Sequence, residues 1–223
     1  MDHSRSLKIC SYNVHNFHKR DVRPQKFAFL QSLLESHTFL CIQEHWLYES
    51  KIKKVIGALK PGCNVVGCSP MDERVRRVGR PYGGCAIVWE SSANFRAEEV
   101  PCDNKRICAL EVEMLNNYKL MIVNVYMPSD DGRPQTLDEF RVVVHEVQRL
   151  ILERDPDDVC FLGDLNTSFT RNCSSMRSRV ELICELQNVF GMSHKTSTLP
   201  HTFINSRGEN SVVDHCFFDG GYR

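Results

Sequence analysis

The chain has 223 residues, 42% of them hydrophobic, which is enough for one sizeable core and fits one domain better than two. Its 28 lysines and arginines balance 28 aspartates and glutamates, which excludes a global field strong enough to hold it on nucleic acid or an anionic membrane. Any polyanion has to be met by a local patch.

In chain order, LKICSYNV (7–14) is apolar and β-rich and reads as a strand with Asn13 near its end. A polar, cationic loop follows, and from Pro24 the residues Phe27, Leu30, Leu33 and Leu34 recur at helical spacing. TFLCIQEHW returns to an apolar run that ends at Glu44, completing a β-α-β opening. A second amphipathic helix (Ile52, Val55, Ile56, Leu59) leads to the strand NVVGC, a loop rich in arginine, and the strand GCAIVWE. RICALEVEM and YKLMIVNVYMP are long strand-like runs separated by LNN, which predicts an antiparallel hairpin.

A helix should follow, opened by a capping box at Thr136 and Glu139 and carrying the stripe Phe140, Val143, Val144, Val147, Leu150, Ile151. It should stop near Arg154-Asp155-Pro156. DVCFL reads as a buried strand, RSRVELICELQNVF as a last helix, and HTFINSRGENSVVDHCFF as a hairpin turning through residues 206–210. Strands alternating with helices at first and pairing directly later predict mixed sheets covered by helices, an α/β layered fold.

Polar residues able to do chemistry stand where the apolar strands stop: Asn13, Glu44, Tyr126, Asp164 with Asn166, and Asp214. Aligned strand ends would gather them at one rim, the place where α/β sheets bind ligands. Glu44 is a hard oxygen ligand of the kind magnesium takes while keeping several waters. Asp164 is suited to positioning or deprotonating a nucleophile, and Asn13, Asn166 and Tyr126 offer uncharged groups to phosphoryl oxygens. That inventory points to phosphomonoester or phosphodiester hydrolysis. No G-x-S-x-G elbow and no G-x-x-x-x-G-K-[ST] loop is present, which disfavours a serine hydrolase and a nucleotide kinase.

Each residue also has a bland counterpart: a turn asparagine, a solvated glutamate, a core tyrosine with a wet hydroxyl, an Asx turn at 164–166. Their joint order is what argues for a site. The eleven cysteines include no CxxC pair; several (Cys10, Cys41, Cys85, Cys108 and Cys160) sit in apolar runs as small hydrophobes, and Cys63 with Cys68 has atypical spacing for zinc. No signal-peptide apolar region and no bilayer-length run occurs, so an intracellular protein without a membrane partner is expected.

KICSYNV, IQEHW, VNVYMP, GDLN and HTF…SVVDH, in that order and at those separations, resemble the endonuclease/exonuclease/phosphatase superfamily. Within it they resemble the apurinic-endonuclease-like nuclease domain of non-LTR (LINE-type) retrotransposons, over about residues 7–217. The resemblance implies a four-layer α-β-β-α sandwich of two mixed β-sheets flanked by helices. It also implies magnesium-dependent (or manganese-dependent) hydrolysis of a DNA phosphodiester, leaving a 3′-hydroxyl that primes reverse transcription. A reverse transcriptase domain in the intact polyprotein and a nuclear location follow from it. Glu44 then stands where the family has its metal ligand, with Asn13 in the same metal-phosphate cluster. Tyr126 matches the phosphate-contacting tyrosine, Asp164 the aspartate that aligns the attacking water, and Asn166 its partner at the phosphoryl oxygens.

Asp214 matches the aspartate that hydrogen-bonds a histidine in a later Ser-Asp-His motif, and no such motif follows SVVDH here. The expectation is one domain over residues 1–223, lacking its C-terminal strand and inactive or weakly active by itself. Arg74, Arg76, Arg77 and Arg80 crowd the loop before PYGG, where they would grip backbone phosphates or else form a solvated loop. Rival readings are another superfamily phosphoesterase (abasic-site endonuclease, inositol phosphatase, sphingomyelinase-like or deadenylase) and a catalytically dead binding scaffold.

Overall fold

The computed structural model describes residues 7–17, 24–75, 79–91, 94–170, 173–195, 200–204, 208 and 210–219. Three apolar clusters divide the described residues into four layers. The first β-α-β unit is β1 (Ile9–Asn13), α1 (Pro24–Ser36) and β2 (Phe39–Gln43). It is followed by α2 (Glu49–Ile56), a single 3₁₀ turn, β3 (Cys63–Cys68) and β4 (Cys85–Glu90). These strands form a mixed sheet in the order β1-β2-β4-β3, with β1 and β2 parallel. Its outer face packs under α1 and α2 through Leu30, Leu34, Leu40, Ile42, Ile52, Ile56 and Val88.

The second sheet holds β5 (Phe95–Val100), β6 (Ile107–Met114), β7 (Lys119–Tyr126), β8 (Asp158–Asp164), β9 (Ser193–Lys195) and β12 (Asp214–Phe218). Its order is β5-β6-β7-β8-β12-β9, and β7 and β8 are its parallel pair. In sequence α3 (Pro134–Arg154) lies between β7 and β8 and α4 (Ser174–Val189) between β8 and β9, and a short antiparallel pair is formed by β10 (Phe203–Ile204) and β11 (Asn210–Ser211). Alternation along β7 explains the layering: Met121, Val123 and Val125 face α3 and α4, while Leu120 and Ile122 face the first sheet. The fold is the α/β arrangement of two mixed sheets flanked by helices.

The predicted hairpin of β6 and β7 is antiparallel and in continuous register from Ile107 with Val125 to Glu113 with Lys119. Two short strands escape the sequence reading. β5 exposes much of its charged side-chain content as an edge strand and has no apolar run, and β9 is only three residues long. The capping box is not formed. α3 begins at Pro134, so Thr136 lies inside the first turn and its hydroxyl donates to Asp131 instead. Proline at the first helical position needs no N–H partner and suits that start. The helix ends as expected, with Asp155 in the left-handed conformation (φ 46°).

Buried thiols are integral to the space between the sheets. Cys41, Cys85, Cys108 and Cys160 are all buried there, and burial pushes the first three far above the ordinary thiol range. They behave as the small hydrophobes that their apolar neighbours in sequence imply.

Candidate active site

Parallel pairing sets the rim. β1 and β2 end together at Asn13 and Gln43, and β7 and β8 end together at Tyr126 and Asp164. Antiparallel β12 starts where β8 stops, with Asp214 directly opposite Asp164. The predicted residues Asn13, Glu44, Tyr126, Asp164, Asn166 and Asp214 therefore come to one edge of the two sheets.

Side-chain contacts bind the two sheets across that edge. Asn13 Nδ2 donates to Glu44 Oε1 at 2.9 Å and to Asp164 Oδ2 at 2.9 Å. Its amide oxygen accepts the His15 N–H at 2.9 Å, so the whole amide is engaged as a bridge between two carboxylates. Trp46 Nε1 donates to the other oxygen of Glu44 at 3.0 Å. Asp164 Oδ1 accepts the Asn166 N–H at 2.9 Å, and Asn166 Nδ2 donates to Met127 O at 2.8 Å. The pairing of Asp164 with the Asn166 amide is the Asx turn foreseen as the bland alternative; here it lies inside the cluster rather than in place of it.

Backbone geometry at the rim is unusual. His15, Asn16, Glu44, Trp46 and Asn166 all have positive φ without being glycine, a conformation held only where surroundings over-determine it. Gly163 also has positive φ (134°), and a Cβ there would lie 2.1 Å from Val125 O. The glycine in GDLN is therefore required by close approach to β7, and it brings Asp164 into line with Tyr126.

Burial and neighbouring carboxylates raise the proton affinity of Asp164 and Asp214. Asp164 is 4% exposed; burial first, and then the charge of Asp214, push its pKa up to about 7, against the opposing hydrogen bonds from Asn166 and Asn13. Asp214 rises to about 6, chiefly by burial, with the Glu44 charge adding to it and the Thr202 hydroxyl opposing. Burial and the carboxylates of Glu44 and Asp164 raise the Tyr126 hydroxyl as well. One oxygen of Asp214, Oδ1, is buried without a hydrogen-bond partner among the described residues.

An oxygen-only donor set with excess negative charge is what a hard divalent cation relieves. Among the described residues no three histidine, cysteine or acidic side chains converge tightly enough to enclose a metal. Magnesium commonly takes only one or two carboxylates from a protein, with waters and substrate completing its shell. Glu44 suits the first place in such a shell, because both of its oxygens are oriented by neutral donors and, among the described residues, neither is taken by a cation.

Arg80 lies over the Trp46 ring at 5.9 Å, on the Glu44 side of the rim. Arg74 is exposed and forms an ion pair with Asp72 at 2.8 Å, which leaves it less available for phosphates. Arg76 and Arg77 lie outside the described residues.

Several residues outside the predicted rim set contribute to it. Arg106 stands over the Tyr126 ring at 5.9 Å. Asn124, fully buried in β7, donates to Ile42 O at 3.0 Å and Ala86 O at 2.9 Å across the intersheet space and accepts Gln43 Nε2 at 2.6 Å. His45 accepts the Leu47 N–H at Nδ1 and donates Nε2–H to Cys68 O, and burial lowers its pKa to about 4. His215 contacts Thr167 O through Nε2 at 2.8 Å, tying β12 to the GDLN loop. Asn124 had a signal, a lone amide in an otherwise apolar run; the two histidines had none that distinguishes them from ordinary core residues.

The sequence profile of the Endonuclease/Exonuclease/phosphatase family matches residues 10–223. No curated protein matches the sequence. Among solved structures, the AP endonuclease LMAP from Leishmania major is 15% identical with a TM-score of 0.72, covering 99% of this chain and 81% of that one. The 3′ phosphatase NExo from Neisseria, bound to a product DNA hairpin, is 14% identical with a TM-score of 0.64, over 96% and 87%. The mannosyl-6-phosphatase Bt3783 from Bacteroides thetaiotaomicron VPI-5482 is 18% identical with a TM-score of 0.63, over 97% and 86%. At these identities the likeness establishes the shared fold.

Proposed function

We propose that this chain, which belongs to the endonuclease/exonuclease/phosphatase family, is a magnesium-dependent endonuclease that nicks DNA to prime reverse transcription of a retroelement. The observation that carries the phosphodiesterase reading is the Asn13 amide joining Glu44 to Asp164, 2.9 Å from each. It locks an electrophile-binding carboxylate and a proton-accepting carboxylate into one geometry. The resemblance of GRPYGG and FLGDLN to the retroelement branch favours DNA. A structural neighbour bound to a DNA product supports DNA as the substrate.

In this reading Glu44, braced by Asn13 and Trp46, holds the magnesium ion, and manganese would serve in its place. When bound, the ion supplies positive charge to the phosphoryl oxygens. Asp164 aligns the attacking water and accepts its proton. Asn166 and Tyr126 steady the phosphoryl oxygens, and Asp214, whose Oδ1 has no hydrogen-bond partner among the described residues, stands opposite Asp164 in the place of the aspartate that orients a histidine in the resemblance. Arg80, and with it Arg74, Arg76 and Arg77, contact flanking phosphates. A reverse transcriptase partner and a nuclear location belong to the same proposal. Among the described residues no helix is long and apolar enough to cross a membrane.

The test is nicking of supercoiled plasmid by the purified chain with magnesium, with and without chelator, beside Asp164→Ala. Expected is open-circular product that chelation removes and that Asp164→Ala reduces to background. Folded wild-type protein that releases phosphate from small monoesters but leaves plasmid intact would overturn the DNA assignment.

A further inference from the structure

The segment leaving β7 has four consecutive carbonyls, each held by a side chain. Tyr126 O accepts from Arg106 Nη1 at 3.4 Å and Met127 O from Asn166 Nδ2 at 2.8 Å. Pro128 O accepts from Arg179 Nη1 at 2.6 Å and Ser129 O from Arg179 Nη2 at 3.2 Å. One residue on, Asp130 accepts the Ser175 hydroxyl at 2.8 Å, so α4 grips this strap at two points.

Arg179 is an unexpected residue at its position. It continues the buried stripe Met176, Arg179, Ile183, Leu186 of α4 and is 1% exposed. Its guanidinium lies over the Phe140 ring at 4.8 Å. The nearest carboxylate, Asp130, is 3.9 Å away, and Nε has no partner among the described residues. A buried cation so incompletely paired contributes little net stability, and an apolar side chain of similar volume is often equal or better. What the guanidinium adds is its planar fork, which holds two carbonyls at once in a fixed relation that a lysine cannot reproduce.

We propose that Arg179 is a positioning residue for the active site, fixing the 126–129 strap and through it the Tyr126 ring and the Asn166 amide. This rests on the phosphoesterase reading above for its catalytic consequence. The chain of contacts is short. Asn166, itself at φ 46°, is anchored by the strap at Met127 O, and Met127 N–H donates to Asp164 O at 2.9 Å. Displacement of the strap therefore moves both residues assigned to the phosphoryl oxygens, while among the described residues no hydrogen bond joins Arg179 to Asn13 or Glu44.

Arg179→Lys and Arg179→Met test the proposal by two readouts, hydrogen exchange and nicking kinetics. Exchange of the Met127 amide should accelerate about tenfold or more in both variants, with the β6 amides unchanged, as for a local opening. In Arg179→Lys, kcat for nicking should fall about ten- to a hundredfold with KM nearly unchanged. Combining it with Tyr126→Phe should give little further loss, because the two residues act as one unit. Met127 exchange that stays at the wild-type rate in both variants overturns the proposal, and so do losses from Arg179→Lys and Tyr126→Phe that simply multiply. A wild-type protein with no phosphoesterase activity refutes the functional reading instead, and the exchange experiment still decides whether Arg179 holds the strap.

Discussion

The two halves of the rim are held by different means. On the four-stranded sheet, Asn13, Glu44 and Trp46 orient one another through side chains, on backbone that enters the left-handed region at Glu44 and Trp46. On the six-stranded sheet, Asp164, Asn166 and Tyr126 are fixed through backbone: a glycine that lets β8 press on β7, an Asx turn, and a strap gripped by two arginines. The first half is thus easily altered by removing one side chain, whereas the second is most sensitive where backbone must approach backbone.

The largest effect should come from Gly163→Ala. With Val125 O 2.1 Å from the new Cβ, the strand pair cannot relax cheaply, and a stability loss of roughly 4 kcal/mol or more is expected in denaturant unfolding. Near-wild-type stability would mean that β8 shifts easily and that this half is not tightly built. Asn13→Ala severs the amide bridge between Glu44 and Asp164; a nicking rate lower by about 10²–10³ is expected, with the thermal midpoint little changed. A loss below about tenfold would show the two carboxylates working independently. Trp46→Phe keeps the ring but removes the N–H that orients Glu44. The expected outcome is about a tenfold rate loss, near 1.4 kcal/mol, that excess magnesium partly offsets.

The smallest effect is on pH dependence, measured by thermal unfolding of metal-free protein. Asp164 and Asp214, at about 7 and about 6 in the fold against about 4 unfolded, bind more protons folded than unfolded. Their contribution to stability therefore falls as pH rises from about 4 to 7. His45 and His215, both lowered to about 4 chiefly by burial, bind fewer protons folded, so their contribution falls as pH drops from about 6.5 to 4. The opposed slopes overlap between about pH 4 and 6.5 and should leave the wild-type midpoint nearly flat. Replacing both aspartates by asparagine should leave a midpoint that rises with pH across that window; a slope unchanged from wild type would show that the carboxylates carry no such burden.

Where sequence reading succeeded and where it failed follows the same division. The rim residues were legible because each stands at the end of an apolar run, a position visible without knowing the fold. Arg179 was hidden because a helix stripe reports burial and not partners, and the two carbonyls it holds lie about fifty residues earlier in the chain. Edge strand β5 was missed because half-solvated, charged FRAEEV has neither a clean alternation nor an apolar run. Thr136 illustrates the converse: a good local capping pattern lost to Pro134, whose ring presets the backbone two residues earlier.

The sequence by itself determined the kinds of elements, their order, and the polar groups that punctuate the strand ends, because hydrophobic period and turn chemistry act over a few neighbouring residues. Only the tertiary structure decided that Asp214 lies opposite Asp164, that the Asn13 amide points to two carboxylates from two sheets, and that an arginine in the last helix holds the strap after Tyr126. Strand register and sheet-on-sheet packing depend on contacts between residues up to 151 positions apart, and they are settled when whole apolar faces, not single segments, are buried together.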